Sequence, residues 1–128
     1  MAFKSSLASR NAAANARALL CNNGYLCYYT GSQPSSPDVP ATGTLLCSLR
    51  FGSPAFGGAS GGVITANAIT ADPNAANSGT AGWFRIYESD NSTAVFDGTI
   101  GTDLTMNSTL IQAGANVSCS SFTITEPQ

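Results

Sequence analysis

Histidine, the commonest general base, is missing from this chain, so the residues that could do chemistry are few. Seven acids, five basic residues and four cysteines make up the reactive inventory of its 128 residues. The cysteines are Cys21, Cys27, Cys47 and Cys119, and no two form a Cys-x-x-Cys pair. A tetrahedral zinc site would need all four thiolates, drawn from four separated segments. Cys47 falls in phase with an apolar strand face, so buried free thiols in a reducing compartment are expected. Among the strand acids only Glu88 and Asp90 are close in sequence, and they flank a turn, which reads as solvated. Glycoside hydrolysis needs two carboxylates across a cleft, and Asp97 with Asp103 is the pair that would have to supply them. Calcium at Asp90, Asp97 or Asp103 would lack the D-x-D-x-D-G ligand loop. A serine nucleophile would lack both a base and the G-x-S-x-G elbow; Gly57 to Gly62 reads G-G-A-S-G-G, with the wrong spacing. These residues predict no enzyme, no catalytic residues, no cofactor and no metal.

Two groups of residues remain as candidates for binding. Trp83, Arg85 and Tyr87 alternate along one strand face. Exposed, a Trp–Arg–Tyr stripe has the composition of an interface hot spot, or of a sugar-binding platform. It reads equally as the second buried face of a sandwich strand, with Arg85 paired to a carboxylate. The other group is Lys4, Arg10 and Arg17, which precede every acid, since none occurs before Asp38. They form either a solvated helix face or a cationic arm that docks on an acidic neighbour.

The elements that must position these groups are short. Residues 4 to 21 are the one good helix candidate: alanine-rich, free of Gly and Pro, with Ser5 or Ser6 to cap the start and Asn23-Gly24 to end it. A thin apolar stripe runs through Phe3, Leu7, Ala14, Ala18 and Cys21, so this helix must lie on its own body or on a partner. From Tyr25 onward, short β-rich runs alternate with Gly, Pro, Ser, Thr and Asn. Strands are expected at 25–30, 44–51, 55–58, 63–69, 81–88, 93–98, 103–106, 109–111 and within 116–125. Along 44–51, Leu45, Cys47, Leu49 and Phe51 should share one face, with Leu46 on the other. Phe84 and Ile86 should face the core, and Phe96 should meet one of them. Gly31 to Gly43, with three prolines and three serines, is the longest loop. The glycines of 52–62 precede another strand, not a helix, so Gly61-Gly62 reads as a hairpin turn and not as a phosphate loop.

Eight or nine strands with turns every 8 to 12 residues predict an all-β fold, an antiparallel β-sandwich, jelly-roll-like, behind an N-terminal helix. The domains expected are a helical arm, 1–23, and a β-sandwich, 24–128. A net charge of −2 gives no argument for nucleic acid or membrane binding. No apolar run approaches the ~20 residues that span a bilayer, and the start lacks the apolar core of a secretory leader. Asn91, Asn107 and Asn116 head glycosylation-type triplets that then mark polar turns. Charged residues make up only 9% of the chain, well below the ordinary ~25%, which suits a protein packed against neighbours.

Four blocks carry a family resemblance: NNGYLCYYTGSQPSSPD at 22–38, TLLCSLRFGSPAFGGASGGVITANAIT at 44–70, GTAGWFRIYESDNSTAVFDGTIG at 79–101 and LTMNSTLIQAGANVSCSSFTIT at 104–125. Their hydrophobic and glycine pattern resembles a family of small virion structural proteins of tailed bacteriophages and prophages. That resemblance implies a capsid decoration, or cement, protein on the capsid surface of the virion, made in the host bacterial cytoplasm. Its expected partners are the major capsid protein and further copies of itself, as a dimer or trimer. No nucleic acid, membrane or small-molecule substrate is implied. The alternative is a tail or receptor-binding β-module, with carbohydrate binding through Trp83 and Tyr87 as one form of it. The family brings no site residues. The interface residues expected from the chain itself are Lys4, Arg10, Arg17, Trp83, Arg85 and Tyr87.

Overall fold

The structure is a computed structural model and describes residues 4–100, 110–119 and 122–125. The strand expected at 103–106, together with Phe3, Asp103 and Asn107, lies outside the described residues. Among the described residues, one helix, α1 (Leu7–Leu20), precedes eight strands: β1 (Tyr25–Thr30), β2 (Leu45–Phe51), β3 (Val63–Thr65), β4 (Ile69–Thr70), β5 (Gly79–Tyr87), β6 (Ala94–Thr99), β7 (Leu110–Ile111) and β8 (Thr123–Thr125). The large sheet runs β4-β2-β1-β5-β6, with β7 pairing on the first residues of β5. β3 and β8 form a second, two-stranded sheet. Every pairing is antiparallel. The fold is therefore all-β and sandwich-like with an N-terminal helix; these pairings do not by themselves make a jelly roll.

Period-two alternation explains which side chains go inward. Leu26 and Tyr28 of β1, Leu49 and Phe51 of β2, and Phe84 and Ile86 of β5 enter the main core. Phe96 lies opposite Ile86 across the β5–β6 ladder and packs on that core. Phe122 comes from the second layer to meet Phe84 edge-on at 5.4 Å, and it also meets Phe56, which contacts Phe51. Burying such a ring contributes about 1.5–3 kcal/mol, so this row of four binds the two layers together.

Alternation fails in both ladders of β1, where the register slips. Leu46 was expected outward and Leu45 inward. Instead Tyr28 pairs with Cys47 and Tyr29 with Leu45, so Leu46 is the extra residue of a bulge. Leu46 is fully buried, and Leu45 is among the exposed hydrophobics. In the same way Tyr29 pairs with Trp83 and Thr30 with Ala81, which turns Ala81 into the core around Gly82. A Cβ at Gly82 would collide with the carbonyl oxygen of Gly31.

The Gly-rich segment folds as a hairpin. Ser60 and Val63 exchange backbone hydrogen bonds at 3.0 Å around Gly61 and Gly62. Both glycines have positive φ, 63° and 77°, as a tight two-residue hairpin turn requires.

The helix is not a free arm. Ser6 caps it, its hydroxyl accepting from the Ser9 N–H at 3.1 Å, and Asn23 leaves it with φ 57°. Ala14, Ala18 and Cys21 are buried in the same core as Leu26 and Ile86. Small side chains let the helix axis sit close to the sheet. At the exit Gly24 touches the carbonyl of Tyr87, where a Cβ would not fit.

Candidate functional site

The Trp83–Arg85–Tyr87 stripe is a second interior and not an open surface. The sheet face opposite the main core carries a small cluster of Cys27, Tyr29 and Trp83, flanked by Tyr25, Ala41 and Tyr87. The segment 31–43 folds back over it. Trp83 has no exposed surface; it stacks on Tyr29 at 4.6 Å with the rings 16° apart. Its indole N–H donates to the Thr30 carbonyl at 3.2 Å. Tyr29 and Tyr87 share a hydroxyl hydrogen bond of 2.8 Å. Burial, reinforced by that bond, raises the Tyr29 phenol well above its ordinary value.

Arg85 is only 3% exposed. A buried guanidinium needs a counter-charge and acceptors for its remaining N–H groups. Here Nε and Nη2 donate to the two carboxylate oxygens of Asp97 at 2.6 and 3.0 Å, a bidentate pair across the β5–β6 ladder. Nη1 donates to the Val39 carbonyl at 2.8 Å and Nη2 to the Ser36 carbonyl at 3.3 Å. The guanidinium also lies 5.3 Å from the centre of the Trp83 ring. The hydrogen bond to Asp97 raises the Arg85 pKa, and burial opposes it. Arg85 and Asp97 thus join two strands and a loop, and Asp97 spends both oxygens on this arginine.

The three N-terminal cations have different surroundings. Lys4 is exposed. Arg10 leans on the hairpin turn at Gly62. Arg17 is exposed along its length but rests over the Phe96 ring at 5.8 Å. The leucines of α1 keep much of their surface in solvent: Leu7 is 48% exposed, Leu19 68% and Leu20 46%. Beside Leu19, a shallow cleft of about 260 Å³ opens between the helix and the hairpin, lined by Asn15, Ala18, Asn22, Pro54 and Phe56.

Compared with protein-family models, curated proteins and solved structures, the chain matches none.

All four cysteines are buried, and none of them forms a disulfide. Burial, with Glu88 nearby, pushes the Cys21 thiol up to about 12, and burial with Asp72 nearby does the same for Cys47. Cys27 is also raised by burial, partly offset by its contact with the Ser48 hydroxyl. Asp90 sits exposed in the β5–β6 connection, where the Thr93 hydroxyl and the N–H groups of Thr93 and Ser92 hold its carboxyl below the usual range. Asp72 accepts from the Ser48 N–H at 2.9 Å and so ties the loop after β4 to β2. Among the described residues, no three Cys, Asp or Glu side chains gather as a metal ion would need.

Residue types alone did not reveal an asparagine row on α1. Asn11 accepts from the Gly62 N–H at 2.8 Å and Asn15 from the Ala59 N–H at 2.9 Å; beyond the helix, Asn22 accepts from Ala55 at 2.8 Å. The spacing of four between Asn11 and Asn15 puts them on one helix face and is the one signal for this in the sequence.

Proposed function

We propose that this chain is a structural virion protein that decorates a bacteriophage capsid and bridges its major capsid subunits. Adhesion, and not turnover, is its chemistry. The observation that carries the reading is the exposed C-terminal end of α1. Leu19 and Leu20 stand exposed there, on a helix that is itself anchored through Ala14, Ala18 and Cys21. Large apolar side chains held on a rigid element suit docking on a protein surface, and the neighbouring cleft offers room for a partner's side chain. Lys4 and Arg17 add a positive rim, suited to an acidic shell.

Low charge density supports the same reading, because many copies can then crowd on one particle without strong mutual repulsion. The sequence resemblance points the same way. The tail-module alternative with a carbohydrate platform at Trp83 draws less support, since that ring is covered by the chain itself.

The test is add-back to purified capsids that lack the protein. Leu19→Asp with Leu20→Asp leaves the core untouched and should abolish attachment while the protein stays folded by circular dichroism. Attachment equal to the unmodified protein would remove α1 as the adhesive element.

A further inference from the structure

We infer that residues 31–43 form a hinged flap that opens as a unit of its own, with Arg85 as its latch. The flap has clean ends. Gly31 and Gly43 both take positive φ, 84° and 83°, a conformation open to glycine. Just outside them, the Thr30 N–H donates to the Thr44 carbonyl at 3.1 Å, and the Thr44 N–H donates to the Thr30 hydroxyl at 2.9 Å. That clasp keeps β1 and β2 paired whether the flap is closed or open.

Within the flap, local bonds hold a shape. The Val39 N–H donates to the Ser36 carbonyl and the Asp38 N–H to the Ser36 hydroxyl, while the Thr42 hydroxyl donates to the Ser32 carbonyl. Three prolines stiffen it further. It can therefore lift as a body.

What holds it down is concentrated at one residue. The carbonyls of Ser36 and Val39 both accept from Arg85, whose position is set by Asp97. Ala41 adds the flap's apolar contact with the covered face. The cluster beneath it is separate from the main core, so lifting the flap leaves that core intact. A cleft of about 380 Å³ between Pro37–Pro40 and Ser92–Ala94 has Arg85 in its lining, so water has a path toward the latch. Opening would uncover the stacked Tyr29–Trp83 pair beside a guanidinium. This inference does not depend on the capsid reading.

Native-state hydrogen exchange on the full chain tests it. The Arg85 Nη1 hydrogens, which reach the Val39 carbonyl of the flap, should exchange through openings at least about tenfold more frequent than those exposing the central β1 and β5 amides. Arg85→Met with Asp97→Leu removes both carbonyl contacts without stranding a buried charge. In that variant, acrylamide quenching of Trp83, the chain's one tryptophan, should rise while the Cys47 thiol stays protected. Arg85 Nη1 exchanging together with β1 and β5 in the unmodified protein would overturn the inference. So would unchanged quenching of Trp83 in a folded double variant; if that variant does not fold, the exchange of the unmodified protein decides.

Discussion

Arg85 illustrates what a charge needs in order to sit inside a sheet: a bidentate partner on the next strand and two carbonyls from a loop. Half of that arrangement was legible in the sequence. The alternation of Trp83, Arg85 and Tyr87 against Phe84 and Ile86 separates the two faces of β5, because strand side chains have period two. Two alternatives stood open for the stripe, an exposed interface or a second interior with Arg85 paired to a carboxylate, and the geometry is that of the second. A Pro- and Ser-rich loop carries no mark of what it covers, so the segment that closes over the stripe was not readable. The cysteines give a prediction at this scale. With Cys21 and Cys47 raised to about 12 from an ordinary 9.0 and Cys27 raised as well, all four buried thiols should react with a thiol reagent at pH 8 only after denaturation. The unfolded chain loses these protons near its ordinary thiol value while the folded chain keeps them. Their contribution to stability is therefore complete below pH 9.0 and is lost as the pH climbs towards 12. The urea midpoint should accordingly fall between pH 9.0 and 12 in the native sequence, and fall less steeply in a Cys21→Ala, Cys47→Ala variant. A rapid reaction of the native protein with reagent would contradict the burial.

The helix is where an element's role differs most from its appearance in sequence. Its composition and its Ala14–Ala18–Cys21 stripe announced a helix with something to lie on, and no feature of the stripe said whether the mate was a partner or the chain's own body. The mate is the body, through small side chains and through Asn11 and Asn15, whose carboxamides accept from the Gly62 and Ala59 N–H groups of the hairpin. Leu45 and Leu46 show a different limit. Alternation assigns faces only while the ladder is regular, and the bulge in β2 swaps their sides. The helix-to-hairpin bonds predict a graded effect. Asn11→Ala should cost about 1 kcal/mol, since it leaves a half-buried N–H without its acceptor, whereas Asn15→Ala should cost less because the Ala59 N–H can turn to water. Urea denaturation measures both, and faster amide exchange at Gly62 would place the Asn11 effect at the hairpin. Equal, negligible losses would mean that the helix is held by its apolar contacts alone.

At the scale of the whole molecule, the arrangement is a small two-layer body with an ion pair and a stacked aromatic pair set inside it. Arg85 and Asp97 are consumed by each other, Trp83 is sealed, and the thiols are buried. Facing out are Lys4, Arg17, Asp38, Arg50 and Asp90, with leucines at 7, 19, 20 and 110. The all-β class was legible because turn residues punctuate the strands at regular intervals. The layering was less so, because β3, β4, β7 and β8 are each only two or three residues long and pair across large sequence separations. The most direct test of the capsid-decoration reading is the number of copies of this chain in purified particles, counted against the major shell protein. The account predicts copies by the hundred, in fixed proportion to shell subunits. A handful per particle, or none, would contradict it.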